Sequence, residues 1–205
     1  MTRGRFLTLE GIDGAGKSSH LRWIARFLRG RGIRVRVTRE PGGTPAGEKL
    51  RRLVLGSRRP LHAETETLLM FAARREHLAK VIRPALGRGI WVLCDRFTDA
   101  TYAYQSGGSG VAWSKVSALE QWVHRGFQPD LTILFDVSPA IGRRHAGRKR
   151  NPDRFEREQE AYYRRVRGGY RRRVAGDPRR IRILDARGSP SAVRKRLEII
   201  LSRIC

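Results

Sequence analysis

Apolar positions along the chain follow two alternating rhythms. Five short runs, Phe6–Leu9, Val35–Thr38, Trp91–Asp95, Leu131–Asp136 and Ile181–Asp185, are largely continuous in apolar character, with Arg36 and Arg182 as the interruptions. Continuous rather than alternating hydrophobicity suits strands covered on both faces, as in a parallel sheet. Between the runs the spacing becomes helical. Ser18–Leu28 follows a glycine-rich turn and is closed by Gly30 and Gly32, and Glu64–Leu86 carries Leu68, Leu69, Phe71, Ala72, Leu78, Val81 and Ile82 at roughly helical intervals. Val116–Val123 and Ala192–Ile204 repeat that pattern. Strands alternating with helices predict an α/β fold, a three-layer doubly wound sheet of five parallel strands. Such a sheet binds its ligands at the carboxyl ends of its strands.

No internal repeat and no separating linker interrupt residues 1–205, so one domain is expected. The single shift in composition is Arg143–Arg173, rich in arginine, poor in aliphatic residues and containing Gly147, Gly168 and Gly169. It reads either as a solvated helical hairpin or as a short basic lid over about residues 143–155.

Composition changes this picture only at one point. The 205 residues are 40% hydrophobic, enough for a core, and carry 44 Lys+Arg against 19 Asp+Glu, a formal net charge of +25. So large an excess invites a nucleic-acid or membrane-surface reading. However, the cations are six lysines and 38 arginines spread over nearly every segment. A polymer-binding arm is a dense block or one amphipathic stripe. No apolar stretch approaches the ~20 residues of a membrane span, and the run from Phe6 is broken by Glu10, against a secretory signal. Cys94 and Cys205 make neither a disulfide framework nor a metal site by themselves. A cytoplasmic protein with no membrane or nucleic-acid partner is expected.

The strongest chemical signal is Gly11-Ile12-Asp13-Gly14-Ala15-Gly16-Lys17-Ser18, followed by Ser19. It is a complete G-x-x-x-x-G-K-[ST] between a predicted strand and a predicted helix. Glycines let backbone N–H groups turn inward around phosphate, and the helix N-terminus adds about half a positive charge there. Lys17 reaches the β- and γ-phosphates and the Ser18 hydroxyl suits Mg²⁺, so a nucleoside triphosphate is the expected ligand. Of the acids that end strands, Asp95 and Asp136 are the two candidates, either of which suits Mg²⁺ through water. Asp95 is preferred because Arg96 follows it, placing an anion for the metal and a cation for phosphate at one strand end. No Asn-Lys-x-Asp guanine signature occurs.

Successive segments then add elements suited to phosphate and base: Thr38-Arg39-Glu40-Pro41-Gly42-Gly43-Thr44, Phe71-Ala72-Ala73-Arg74-Arg75, and Asp95-Arg96-Phe97 leading to Ala103-Tyr104-Gln105. With these, nearly the whole chain resembles bacterial thymidylate kinase. The resemblance implies transfer of the ATP γ-phosphate to dTMP, giving dTDP and ADP, with Mg²⁺ on Ser18 and Asp95. It implies that Glu40 and Pro41 form a tight substrate-side turn, and that Arg51 and Arg96 clamp the acceptor phosphate, for which a guanidinium fork is well shaped. Phe71 is expected to stack on thymine, with Arg74 and Gln105 reading its O4 and N3 edge. Spacing leaves the arginine open: Met70, not Phe71, stands four residues before Arg74, whereas Phe71 stands four before Arg75. Tyr104 is assigned as a guard against a ribose 2′-hydroxyl and Asp13 as partner of the sugar 3′-hydroxyl.

Some relatives carry an arginine directly after the acid of the phosphate loop. Gly14 stands there instead, so the resemblance moves the missing cation to the lid, with Arg148, Lys149, Arg150 and Arg154 as candidates and Arg148 and Arg150 as the catalytic choices. The chain departs from many relatives at Ala100, where serine is common, and at Ser109. The Asp185-Ala186-Arg187-Gly188 turn is the expected resting place of adenine. The resemblance also implies a homodimer. Two other readings are kept: a kinase for a different deoxynucleotide or deoxynucleoside, and a nucleic-acid-binding protein with a phosphate loop.

Overall fold

A computed structural model describes residues 3–57, 59–146, 155 and 158–204. Strands β1 (Phe6–Glu10), β2 (Val35–Arg39), β3 (Trp91–Asp95), β4 (Leu131–Asp136) and β5 (Ile181–Asp185) stand in the order β2-β3-β1-β4-β5, all parallel. The two runs interrupted by arginine are the two edge strands, where Arg36 and Arg182 face solvent. The inner strands are covered on both sides. Val92 and Cys94 enter one apolar cluster and Leu93 the other, while Phe6 and Leu7 divide in the same way. That period of two is what makes the fold three layers: helices, sheet, helices.

Helix α1 (Lys17–Arg29) begins as the phosphate loop ends. Thr44 caps α2 (Pro45–Gly56), its hydroxyl accepting from the Gly47 N–H at 3.0 Å ahead of Pro45 in the first turn. The long helix read over Glu64–Leu86 is α3 (Ala63–His77), one π turn (Leu78–Ile82) and α4 (Arg83–Gly87). Pro84 supplies the reason for the wide turn: it has no N–H for the carbonyl four residues back, and its ring crowds that carbonyl. The remaining α-helices among the described residues are α5 (Thr98–Thr101), α6 (Trp113–His124), α7 (Pro139–Ala146), α8 (Glu160–Gly176) and α9 (Pro190–Leu201).

Two segments depart from the sequence reading. The chain after β3, to which the periodicity assigns no helix, is helical from Thr98 to Gly108: α5 runs into a second π turn, Tyr102–Gly108. Its Ser-Gly-Gly-Ser-Gly composition suggests a loop only until α8 packs against it. A Cβ on Gly169 would lie 2.8 Å from the Ala103 Cα, so glycine permits the close approach. The second departure is the arginine-rich segment, whose later half is helical but packed into the fold instead of solvated. Tyr162, Val166, Gly169 and Tyr170 of α8 are buried at helical spacing. Arg173 of α8 and Arg180 before β5 both grip the buried Asp99, at 2.7 Å each. Part of the positive charge is thus internal structure.

Candidate active site

Each strand ends on a charged residue, Glu10, Arg39, Asp95, Asp136 and Asp185, along the same edge of the sheet. The loop after β1 turns through Gly11 (φ 135°), Gly14 (φ 76°) and Gly16 (φ 88°). These are conformations that side-chain-bearing residues seldom adopt. At Gly14 space also forbids a side chain, since a Cβ there would sit 1.9 Å from the Gly142 carbonyl oxygen on α7. The Lys17 Nζ donates to the carbonyls of Gly11 (2.8 Å) and Ile12 (2.9 Å), which draws the ammonium across the loop. Burial pushes its pKa down to about 8, the charge of Arg96 adds to this, and Asp13, Asp95 and Glu10 oppose it. Ser18 and Ser19 are exposed.

This loop lines a large cleft with Asp95, Arg96, Arg39 and Arg51 on one side, and Ala186, Gly188, Pro190 and Val193 on the other. The turn after β5 is therefore one wall of it. The two candidate acids differ sharply. Both Asp136 oxygens are held by arginines of α8, Arg167 (2.6 and 2.9 Å) and Arg171 (3.0 Å). Asp95 faces the cleft, and its Oδ1 is buried with no hydrogen-bond partner among the described residues.

A second cavity abuts the first and is walled by Pro41, Arg51, Leu55, Met70, Arg74, Phe97, Ala100, Thr101, Tyr104, Gln105 and Phe155. The Glu40–Pro41 bond is cis, and the Pro41 carbonyl accepts from Arg51 Nη1 at 3.0 Å. Arg74 is 3% exposed and almost fully committed. Its Nε donates to Glu40 Oε2 (2.7 Å), and its Nη2 donates to the Phe97 carbonyl (3.2 Å) and Thr101 Oγ1 (3.1 Å). Only Nη1 is left buried without a partner among the described residues. A buried donor without an acceptor costs free energy, so this one marks where a ligand carbonyl fits. Arg75 is exposed.

Glu40, also assigned to substrate, lines both cavities, and both of its oxygens are already bonded within the protein. Its second oxygen bonds His77 Nδ1 (2.9 Å), and His77 Nε2 bonds Thr38 Oγ1 (2.7 Å). Burial works to raise the Glu40 carboxyl, but Arg74 and His77 outweigh it and hold its pKa below the ordinary value. Phe71 is displaced as well. It is 2% exposed, lies in the cluster with Leu78, Ile82 and Phe97, and does not line the cavity; Met70 and Phe97 do. One helix position is a rotation of about 100°, so the residue sharing a face with Arg74 is Met70, four before it. Met70 and Phe97 are thus the apolar walls that reading by residue type misses, and the four-residue spacing from Arg74 is the signal that finds the first.

The two cavities meet at Arg96, Arg51, Asp13 and Glu40, which line both. Arg96 has φ 71°, an uncommon conformation for a residue with a side chain. Its Nη2 donates to Asp13 Oδ1 (2.7 Å) and Tyr104 Oη (2.9 Å), and its Nη1 to the Gly11 carbonyl (3.0 Å) and Tyr170 Oη (3.1 Å). Asp13 Oδ2 in turn accepts from the hydroxyls of Tyr104 (3.1 Å) and Tyr163 (3.3 Å). Behind them lies Glu10, noticed in the sequence only as a break in an apolar run. It accepts from the Phe97 N–H (2.6 Å) and from the Tyr170 hydroxyl (2.8 Å). Burial, reinforced by the charge of Asp99, lifts its pKa to about 8. Gln105 is 2% exposed and its Nε2 donates to Glu66 Oε1 at 2.7 Å.

Ala100 lines the second cavity, whereas Ser109 is not one of its walls. Arg148, Lys149, Arg150 and Arg154 lie outside the described residues. On either side of them, His145 borders the loop cleft and Phe155 the second cavity. The arrangement brings a phosphate-binding loop and a pocket for a planar, carbonyl-bearing molecule to a shared boundary where two arginines stand among two carboxylates. Two anionic ligands can meet there.

Comparison with known proteins bears on what those ligands are. The family model for thymidylate kinase matches residues 9–197. A thymidylate kinase of Nitrosospira multiformis is 57% identical over 202 residues, 98% of each chain. One from Burkholderia cenocepacia is 54% identical over 208 residues, covering both chains completely. Among solved structures, the crystal structure of thymidylate kinase from Ehrlichia chaffeensis superposes with a TM-score of 0.79 at 32% identity, over 99% of this chain and 100% of the other.

Proposed function

The chain belongs to the thymidylate kinase family, and from that premise we propose how its residues divide the phosphorylation of dTMP by ATP. The loop cleft takes ATP: backbone N–H groups of Gly11–Ser19 surround the phosphates, Lys17 turns its ammonium from the loop carbonyls to them, and the Ala186–Gly188 turn borders adenine. The second cavity takes dTMP. Arg74 Nη1 donates to the thymine O4, Gln105 reads N3, Met70 and Phe97 cover the ring, and Tyr104 stands where a 2′-hydroxyl would project. Glu40 holds Arg74, and Pro41 holds Arg51. The observation that carries this assignment is a pair of facts: Arg96, Arg51, Asp13 and Glu40 line both cavities, and Arg74, whose Nη1 is buried without a partner among the described residues, lines the second.

Phosphoryl transfer between two phosphates calls for no strong general base, because the attacking oxygen is already anionic; catalysis rests on positioning and charge compensation. Arg96 and Arg51 hold the acceptor phosphate near the loop, and Asp13 orients Arg96 while remaining within reach of the sugar 3′-hydroxyl. Arg148 and Arg150, outside the described residues, are proposed to complete the positive surround from the lid. Mg²⁺ fits Ser18 and Asp95, since a hydroxyl at the helix start and a carboxylate with a buried unpartnered oxygen flank the same cleft. When bound, it supplies charge compensation on the ATP phosphates. A homodimer is proposed through α2, α3 and α6, which expose Leu53 (51%), Leu68 (54%) and Trp122 (74%). No helix among the described residues is long and apolar enough to cross a membrane, in keeping with the proposed cytoplasmic location.

An ADP-release assay with ATP, Mg²⁺ and each monophosphate in turn tests the base site. We expect dTMP to exceed dCMP, dGMP and UMP in kcat/KM by at least about a hundredfold. Equal rates with dCMP or dGMP would reject the assignment of Arg74 and Gln105, and equal rates with UMP, whose N3 and O4 match those of thymine, would reject that of Tyr104. A pH profile tests the phosphate loop independently. Lys17 in the free enzyme loses its proton near pH 8, and only the ammonium attracts triphosphate, so kcat/KM for ATP should fall as pH rises through about 8. At saturating ATP the bound phosphates favour the ammonium, and kcat should hold to higher pH. A kcat/KM for ATP that stays flat to pH 10 would contradict this role.

A further inference from the structure

Glu66 lines neither cavity, yet it makes the hydrogen bond that decides what Gln105 offers to a ligand. We propose that Glu66 is a specificity-determining positioning residue: by holding the amino end of the Gln105 amide, it turns the amide oxygen toward the base and thereby selects an N3–H over an N3 lone pair. The inference rests on the reading of Gln105 and Arg74 as the groups that face the base.

A carboxamide has two faces of opposite character, and rotating it by 180° exchanges donor for acceptor without changing its shape. Nothing in the shape of the cavity would choose between them. Glu66 is fully buried, Gln105 is 2% exposed, and the Nε2–Oε1 separation is 2.7 Å. A carboxylate only accepts hydrogen bonds, and with Glu66 in that form the flipped amide would set oxygen against oxygen at that distance. The amide is therefore locked with Nε2 inward, which leaves Oε1 as the end for the ligand.

The second half of the pattern comes from the same helix. Glu66, Met70 and Arg74 are four residues apart on one face of α3, and all three are buried. Arg74 presents Nη1, a donor with no partner among the described residues. An acceptor beside a donor matches a ring N–H beside a carbonyl, the edge thymine carries at N3 and O4. Cytosine carries the inverse, a lone pair at N3 and an amino group at C4, so both contacts would become like against like. The donor and the guide for the acceptor thus sit two turns apart on one rigid element.

Glu66→Gln tests this, because a glutamine there satisfies either orientation of Gln105 at nearly constant volume. The ratio of kcat/KM for dTMP to that for dCMP should fall by roughly 10- to 100-fold, with KM for ATP unchanged within about twofold. A merely structural role would lower both nucleotides in parallel and leave the ratio where it was, which would overturn the proposal. Gln105→Ala separates the two layers. If its ratio equals that of the native protein, the base-site reading itself fails; if its ratio falls but that of Glu66→Gln does not, only the present inference fails. In the double variant the ratio should equal that of Gln105→Ala alone, and a further loss would mean that Glu66 acts by another route. Should Glu66→Gln not fold, ¹⁵N-labelled native protein still decides. The Gln105 side-chain NH₂ signals, assigned by their absence in Gln105→Ala, should resist solvent exchange with and without dTMP. Rapid exchange in either state would overturn the inference.

Discussion

Arg96→Ala is expected to lower kcat/KM for dTMP by about 10³-fold or more, the range seen when an arginine that compensates transferring phosphate is removed. The reason is topological as much as electrostatic. Arg96 is bonded to the phosphate loop through the Gly11 carbonyl, to Asp13, to Tyr104 in the second cavity and to Tyr170 on α8. Removing it takes a cation from the boundary and unfastens the groups around it. Stability will also change, so the comparison with Arg96→Gly is informative. Residue 96 has φ 71°, where glycine is at ease and alanine is strained by roughly 1 kcal/mol. The glycine variant should therefore melt higher than the alanine variant while being equally inactive. Arg96→Lys retains charge without the planar fork and should recover only part of the rate. Activities that simply followed the melting temperatures would remove Arg96 from the transfer step.

Lys17→Ala is expected to reduce kcat by about 10³-fold while leaving the fold intact. The second half of that expectation comes from burial. Lys17 is a buried cation whose pKa is pushed down to about 8, which records that desolvation disfavours its charge in the fold. Alanine relieves that penalty. The carbonyls of Gly11 and Ile12 lose a donor, though the Gly11 oxygen keeps Arg96 Nη1 at 3.0 Å. Thermal melting close to that of the native chain, with transfer abolished in the ADP-release assay, is the expected pair of results. Turnover near the native rate would take the loop out of the mechanism.

These two predictions have different origins in the chain. The role of Lys17 can be read locally, because a strand, a glycine-rich turn and a helix start occupy consecutive residues and the motif needs nothing else. The role of Arg96 needs Asp13, 83 residues away along the chain, and Tyr170, 74 away. Glu10 shows the same limit from the other side. A charged residue at the end of an apolar run looks like a boundary, and only the arrival of the Phe97 N–H and the Tyr170 hydroxyl explains why the fold accepts it fully buried.

The sequence by itself determined the layering, the positions of the five strands, the phosphate loop and the family, because each is written in short-range periodicity or in contiguous residues. Tertiary structure decided the choices between near-equivalent neighbours. Arg74 and Arg75 are adjacent and chemically identical, yet only one helix face meets the cavity, and the same rotation puts Met70 there and Phe71 in the core. Asp95 and Asp136 both end strands, but the α8 arginines satisfy only Asp136. The segment after β3 is helical because α8 packs on it, with glycine where the two backbones nearly touch. In every case the deciding partner lies tens of residues away in the chain. A buried polar group takes its function from the hydrogen bonds that the packing leaves open, and those exist only once the chain has folded.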